Sequence, residues 1–136
     1  MADPVTLPLV EIQPSQLYIS TAKLARVVEL WQPPDLLTIP PVPVKRLDGR
    51  LIATDGHTRA FAAYRRGLTE IPIVWDEDEL DWEAYRICVD WCLAEGIHTV
   101  MDLEGRVVAP DDYAVLWLDR CRVMQADLAE RRRPRP

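Results

Sequence analysis

The residues best suited to chemistry lie together in one short segment, Asp55-Gly56-His57-Thr58-Arg59, which we call the box. The first amides of a helix have no partners within it, and together with the helix dipole they attract anions. Gly56 would let the backbone approach a ligand, Thr58 offers a hydroxyl, Arg59 a two-pronged phosphate donor and His57 a titratable group. The box therefore predicts a phosphate site. An ordinary helix start, capped by Asp55 or Thr58 and with Arg59 in solvent, would use the same residues.

A predicted hairpin and helix would hold the box in place. Asp48-Gly49 separates two apolar runs, 42–44 and 51–53, and this arrangement is typical of a tight β-hairpin. The second strand leads directly into the box, after which a helix is expected over 57–67, ending at a glycine. A further strand is expected over 71–75. A site held between a strand and a helix is a rigid one.

The remaining pattern predicts a mixed α/β fold, a small mixed sheet with helices and a helical C-terminal extension. We expect a strand over 5–12 at an edge, because Pro8 interrupts it. The other expected elements are a helix over 21–31, a proline-dense connector over 33–43, a helix over 79–95 and a last helix opening at Pro110.

The box and its surroundings resemble the ParB/sulfiredoxin superfamily. The resemblance lies in the Asp-Gly-His-Thr-Arg box, an alanine-rich helix, Gly67-Leu68 and the segment Ile71-Pro72-Ile73-Val74. The upstream segment Leu9 to Leu17 resembles the opening strand of the family, and Pro41 to Val44 resembles the strand that follows its first helix. The resemblance covers about residues 9–75. It implies a nucleotide or phosphate ligand.

The three branches of that superfamily differ in the box. Sulfiredoxins carry a cysteine where this chain has His57, so the resemblance does not extend to sulfiredoxin chemistry. ParB proteins carry an arginine where this chain has Thr58. The box is most similar to that of free serine kinases, which implies a nucleotide-dependent kinase acting on a small metabolite.

In that branch the resemblance assigns phosphate or nucleotide binding to Gly56, His57, Thr58 and Arg59. It implies catalytic roles for Asp55, which would hold Mg²⁺ or orient the acceptor, and for His57, which would contact the transferring group. The kinases use a glutamate just past the first proline, and Gln16 stands near that place in this chain. Glutamine cannot take a proton, and Glu11 is the nearest carboxylate. The nucleotide could be ATP, ADP or CTP.

Length and charge set the outer limits. We expect one domain over 1–130, with a core over about 9–75, a helical extension over 76–130 and a disordered basic tail over 131–136. Residues 1–130 hold twelve basic and twenty-two acidic residues, a net charge of −10. Such an acidic body disfavours specific DNA binding. The sequence has no predicted leader or membrane span, and three cysteines suit a reducing compartment, so we expect a cytoplasmic protein.

The predicted helix over 79–95 leads to the alternative function. Its apolar residues cover a wide arc, which is typical of a helix buried on two sides or docked on a partner. A non-catalytic interaction module, or a homo-oligomer, would use that arc. Trp82 could instead face the substrate and stack on a nucleobase, although aromatic residues at helical spacing usually belong to a core. Cys88, Cys92, His98 and Cys121 match no familiar zinc spacing, so no metal site is predicted from them.

Overall fold

The box follows a strand of a four-stranded mixed sheet. The computed structural model describes residues 5–31 and 40–134. Its strands are β1 (Val5–Pro8), β2 (Ile19–Ser20), β3 (Val42–Leu47), β4 (Arg50–Ala53), β5 (Glu70–Trp75) and β6 (Val107–Val108). Its helices are α1 (Thr21–Leu30), α2 (His57–Arg65), α3 (Trp82–Ala94), α4 (Pro110–Tyr113) and α5 (Arg120–Arg131). The predicted mixed α/β class is confirmed.

The main sheet has the strand order β1-β5-β3-β4. Strands β3 and β4 form the predicted hairpin, and its turn residues Asp48 and Gly49 both have positive φ, 52° and 81°. A two-residue turn of this kind matches the twist of the strands on either side. Strand β5 lies parallel to β3 and antiparallel to β1. A separate small sheet pairs β2 with β6 in parallel.

Strand β1 lies at the edge of the sheet, as Pro8 predicts, but it is shorter than expected. The strand ends at Pro8, and a 3-10 turn over Leu9–Glu11 replaces the predicted continuation to residue 12. The turn carries Leu9 into the core, where it is buried. The chain then returns to the sheet at Gln13, which bridges in parallel to Ile52 of β4.

The predicted helices are confirmed with small shifts at their ends. Helix α1 is capped by Ser20, whose hydroxyl accepts from the amide of Lys23 at 3.5 Å. Helix α3 begins at Trp82 rather than at residue 79, because Asp81 caps it by accepting from the amide of Ala84 at 3.2 Å. Residues 33–39 of the predicted connector lie outside the described residues.

One core runs through the sheet and the helical extension. Phe61 of α2 and Ile71 of β5 belong to the same buried cluster as Cys92 of α3 and Leu128 of α5. Burial of large apolar side chains is the main stabilising term of such a fold. The extension is therefore packed against the sheet through shared core residues.

The C-terminal helices follow one another without a break. Between α4 and α5 lies a π-helical segment, Ala114–Asp119, which carries the buried Trp117. The indole of Trp117 meets that of Trp91 edge to face, with ring centroids 6.1 Å apart. Within the described ranges, no helix is apolar over a length that would cross a bilayer.

The beginning of the predicted basic tail continues the last helix and forms ion pairs. Helix α5 continues to Arg131, and the guanidinium of Arg132 lies 2.9 Å from the carboxylate of Asp81 and 2.8 Å from that of Glu83. These acids stand at the N-terminus of α3, so the acidic start of one helix binds the basic end of another. Residues 135–136 lie outside the described part of the chain.

Candidate functional site

The strand that delivers the box is fixed from two sides at Thr54. The hydroxyl of Thr54 donates to Oδ2 of Asp76, just past the end of β5, at 2.6 Å. The Tyr85 hydroxyl, on α3, donates to the carbonyl oxygen of Thr54 at 3.1 Å. The Thr54 hydroxyl lowers the pKa of the Asp76 carboxyl, and the amide of Asp78 lowers it further. Sheet and helix thus hold the residue that precedes the box.

Gly56 sets the geometry of the helix start. Its φ is 74°, in the left-handed region, and it occupies the N-cap position of α2. The amide of Gly56 donates to Oδ1 of the exposed Asp55 at 2.8 Å. None of the described residues accepts a hydrogen bond from the amides of His57, Thr58 or Arg59. These three donors are the ones that an anion could use.

The Arg59 guanidinium lies across the same helix start. A Cβ added at Gly56 would lie 2.8 Å from Nη2 of Arg59, so only a glycine leaves room for this arrangement. Nη1 of Arg59 donates to the carbonyl oxygens of Pro40 and Pro41, at 3.0 and 3.2 Å. Arg59 therefore holds the chain before β3 and places a positive charge beside the outward amides.

His57 is a buried, neutral group in this structure. Its side chain is 4% exposed, and its Nε2 accepts from the amide of Ser15 at 2.9 Å. The Ser15 hydroxyl in turn donates to the carbonyl oxygen of Ala53 at 2.7 Å. Burial lowers the pKa of His57 to about 4, against an opposing effect from Asp55. His57 thus ties the box to the loop that follows β1, and its accepting nitrogen is already occupied.

A cavity of about 210 Å³ opens beside the box. Asp55 and His57 lie on one side of it, next to Gln16. The Gln16 amide donates to the carbonyl oxygen of Tyr18 at 2.8 Å and to the Tyr113 hydroxyl at 3.2 Å. The structure therefore brings together three residues predicted from sequence, Gln16, Asp55 and His57. Gly56, Thr58 and Arg59 lie at the helix start rather than in the cavity wall.

Glu11 and Trp82 do not join this site. Glu11 lies in the 3-10 turn after β1 and lines a separate cleft that also contains Arg46 and His98. Trp82 packs against the small cluster of Leu47, Ile52 and Val89, and Nζ of Lys45 lies 5.1 Å from its ring centroid. The face of α3 that carries Trp82 turns to the sheet. The structure therefore does not bring Glu11 and Trp82 together with Gln16, Asp55 and His57.

The far wall of the cavity comes from the helical extension and was missed in the sequence. Its residues are Asp81, Ala84, Tyr85 and Cys88 from the α3 region, and Trp117, Cys121, Met124 and Gln125 from the C-terminal helices. Counted from Trp117, the C-terminal residues stand at positions i, i+4, i+7 and i+8, a spacing that predicts one helix face. The spacing shows that these residues share a face, but not that the face meets the box.

Fold and site together describe a mixed α/β protein in which a glycine-led helix start stands at the edge of a small cavity. No protein-family model matches the chain, and no curated protein matches it. Among solved structures, the chain is similar to protein Atu1540 from Agrobacterium tumefaciens, with 16% sequence identity and a TM-score of 0.45. The similarity covers 65% of this chain and 48% of Atu1540, so the chain spans about half the length of that protein. A likeness at this level carries no argument about function.

Proposed function

We propose that this protein is a cytoplasmic, ParB/sulfiredoxin-like domain that binds a phosphate-bearing small molecule at the start of α2. A nucleotide is the first candidate for that ligand. One observation carries the proposal. The left-handed Gly56 leaves the next three amides without acceptors among the described residues, and the Arg59 guanidinium lies over the same point. Outward amides combined with a guanidinium are the chemistry that phosphate groups require.

The neighbouring cavity supports a small ligand. Typical ligand sites measure roughly 300–1,000 Å³, so the 210 Å³ beside the box suits a small metabolite or one part of a nucleotide. Polar groups of Gln16 and Asp55 face it from one side, and Tyr85 and Trp117 supply aromatic surface from the other. ATP, ADP and CTP all satisfy the phosphate requirement.

If the protein is an enzyme, the chemistry is phosphoryl transfer to a small metabolite, which depends mainly on positioning and charge stabilisation. Asp55 is then the residue to test, because its carboxylate is exposed, lines the cavity and would hold Mg²⁺ or orient the acceptor. His57 accepts a hydrogen bond from the Ser15 amide through Nε2, so a contact with the transferring group would have to use Nδ1. Asp55→Asn should abolish turnover and leave nucleotide affinity largely intact.

The alternative, an interaction module, receives support from a different surface than expected. The apolar arc of α3 packs largely inward, with Ala84, Cys88 and Cys92 buried. Exposed apolar side chains lie instead on the C-terminal helices, where Val115 is 64% exposed and Val123 is 69% exposed. If the protein acts only as a module, Arg59→Ala and Asp55→Asn should leave partner binding unchanged.

The binding site is tested by thermal shift and calorimetry with ATP, ADP and CTP, each with and without Mg²⁺. Arg59→Ala removes charge-assisted hydrogen bonds worth about 1.5–3 kcal/mol, a roughly tenfold to hundredfold loss of affinity. Arg26→Ala is the matched control, because Arg26 is an exposed arginine on the neighbouring helix α1. The free protein should lose only about 1 kcal/mol, from the contacts to Pro40 and Pro41.

Two results would overturn the proposal. One is an unliganded Arg59→Ala variant that does not fold, since Arg59 would then be a structural residue. The other is equal nucleotide affinity in Arg59→Ala and the wild type.

A further inference from the structure

A second and larger cavity opens at the β3–β4 hairpin, and we call it the hairpin cleft. It is the cleft that contains Glu11, Arg46 and His98, and its volume is about 480 Å³, against about 210 Å³ beside the box. The two cavities share none of their described lining residues. Small-molecule sites measure roughly 300–1,000 Å³, so the hairpin cleft has room for a whole small ligand.

The strand register places one wall of the cleft on a single face of the main sheet. Arg46 of β3 pairs directly with Leu51 of β4, so their side chains leave the same face. Trp75 of β5 pairs with the residue two positions before Arg46, and Leu7 of β1 pairs with the residue four positions before Trp75. Since side chains alternate along a strand, Leu7 and Trp75 belong to that face as well. The sheet thus supplies a guanidinium, an indole and apolar side chains together.

The loop after α3 supplies another wall of the cleft and is held from two sides. The side-chain amide of Gln13 donates to the carbonyl oxygen of Ile97 at 2.8 Å, and the backbone amide of Gln13 is bonded to β4 at 2.8 Å. Oδ2 of Asp102 accepts from the amides of His98 and Thr99, at 2.9 and 3.1 Å. This wall is therefore fixed before a ligand binds, which lowers the entropic cost of binding.

The positive charge of the cleft is not neutralised by a salt bridge. Eight arginines of the described ranges form ion pairs with carboxylates, and Arg46 and Arg50 are not among them. Arg50 also lines a smaller cavity beside Asp90, so Arg46 is the principal cation of the cleft. An arginine guanidinium matches the geometry of a carboxylate, and an indole matches a flat ring.

We propose that the hairpin cleft binds a small aromatic carboxylate. The Arg46 guanidinium binds the carboxylate through two parallel hydrogen bonds, and Arg50 adds positive charge from the start of β4. The ring of the ligand lies against the indole of Trp75, which is 48% exposed, and against the apolar side chains of Leu7 and Leu51.

Glu11 restricts the charge of the ligand. Glu11 stands in the 3-10 turn after β1 and lines the same cleft. Its carboxylate repels a second negative charge, so a phosphate monoester, with a charge of about −1.5 to −2 at pH 7, fits less well than a carboxylate. This site is separate from the box and does not depend on phosphate binding there.

The test is an NMR titration of the full chain with indole-3-acetate as the probe. The indole N–H signal of Trp75 and the backbone amide signals of Gly49 and Thr99 should shift, because these residues line the cleft. Acetate has no ring and 3-methylindole has no carboxylate, so each should bind about tenfold or more weakly than the probe. AMP, a phosphate monoester with a ring, should bind the cleft more weakly than indole-3-acetate.

Matched variants identify the groups that hold the probe. Arg46→Ala should weaken binding about tenfold, the low end for a charge-assisted contact, because the side chain is exposed. Arg26→Ala removes an exposed arginine of α1 and should bind like the wild type. Trp75→Leu should weaken binding about fivefold, and Glu11→Gln should reduce the preference for the probe over AMP.

Three results would overturn the proposal. The first is a titration in which the probe shifts no signal of the hairpin cleft. The second is equal affinity for the probe in the Arg46→Ala and Arg26→Ala variants. The third is tighter binding of AMP than of indole-3-acetate at the cleft, which would show that the site prefers phosphate.

Discussion

Acid should destabilise this protein through one buried side chain, His57. In the folded state burial lowers the pKa of His57 from 6.5 to about 4, so the folded protein takes up this proton only in acid. The unfolded chain takes it up near pH 6.5. Between those two values the unfolded state binds more protons, so stability falls as the pH falls through this window. Above about pH 6.5 His57 is neutral in both the folded and the unfolded state, so it no longer lowers the free energy of unfolding.

The size of the effect follows from the two pKa values. At about 1.36 kcal/mol per pKa unit, the difference between 6.5 and about 4 corresponds to roughly 3 kcal/mol at the acid end. At about pH 5 the loss should be roughly 2 kcal/mol. The paired carboxyls of Asp76 and Asp81 have pKa values below their usual 3.8, so their stabilisation is lost only in stronger acid.

The measurement is urea unfolding followed by tryptophan fluorescence, at about pH 7.5 and about pH 5. His57→Gln can still accept from the Ser15 amide but cannot be protonated. Its free energy of unfolding should therefore change between the two pH values by about 2 kcal/mol less than that of the wild type. His98→Gln is the matched control, because His98 is exposed and lies in a different cleft. Equal pH dependence in His57→Gln and the wild type would refute the reasoning, as would its loss in His98→Gln.

Three further predictions concern the helix start and the chain end. Gly56→Ala should cost about 1–2 kcal/mol for its positive φ and should also displace Arg59 from Pro40 and Pro41. Gly67→Ala is the control, because Gly67 has a φ of 83° and an added Cβ there would meet no atom within 4 Å, so its urea unfolding should show the backbone cost alone. If the Gly56→Ala and Gly67→Ala variants bind nucleotide equally well, the displacement of Arg59 is contradicted. Arg132→Ala should lower the melting temperature slightly at low salt and less at high salt, and no salt dependence would show that its two ion pairs do not matter. Finally, any weak DNA binding should fade with salt and disappear when residues 131–136 are removed. Salt-resistant binding by that truncated protein, in a gel-shift assay, would contradict the charge argument.

Local signals predict most of the secondary structure that surrounds the box. A Ser20 cap and an Asp48-Gly49 turn act over a few residues, so their geometry follows from the sequence alone. Gly56 is a similar case, since its position between a strand and a helix favours the φ that it adopts.

The parts of the site that depend on distant contacts could not be predicted in this way. The Nε2 of the buried His57 has a partner only because the amide of Ser15, forty-two positions earlier, donates to it. Trp82 turns to the sheet because α3 crosses beside the hairpin, and the cavity wall exists because α5 returns over α3. The sequence shows which residues of a helix share a face, but packing decides what that face meets.

The π-helical segment between α4 and α5 sets the rotational phase of the whole C-terminal helix. A π turn accommodates an additional residue relative to an α turn. Deleting one residue would nearly preserve the phase, whereas if residues 114–119 were wound as an α-helix with no residue removed, everything after them would be rotated by about 100° about the helix axis. Cys121, Met124 and Gln125 would then leave the cavity together, while the sheet and the box kept their places. The winding of this one turn thus decides whether the C-terminal helix supplies one wall of the site.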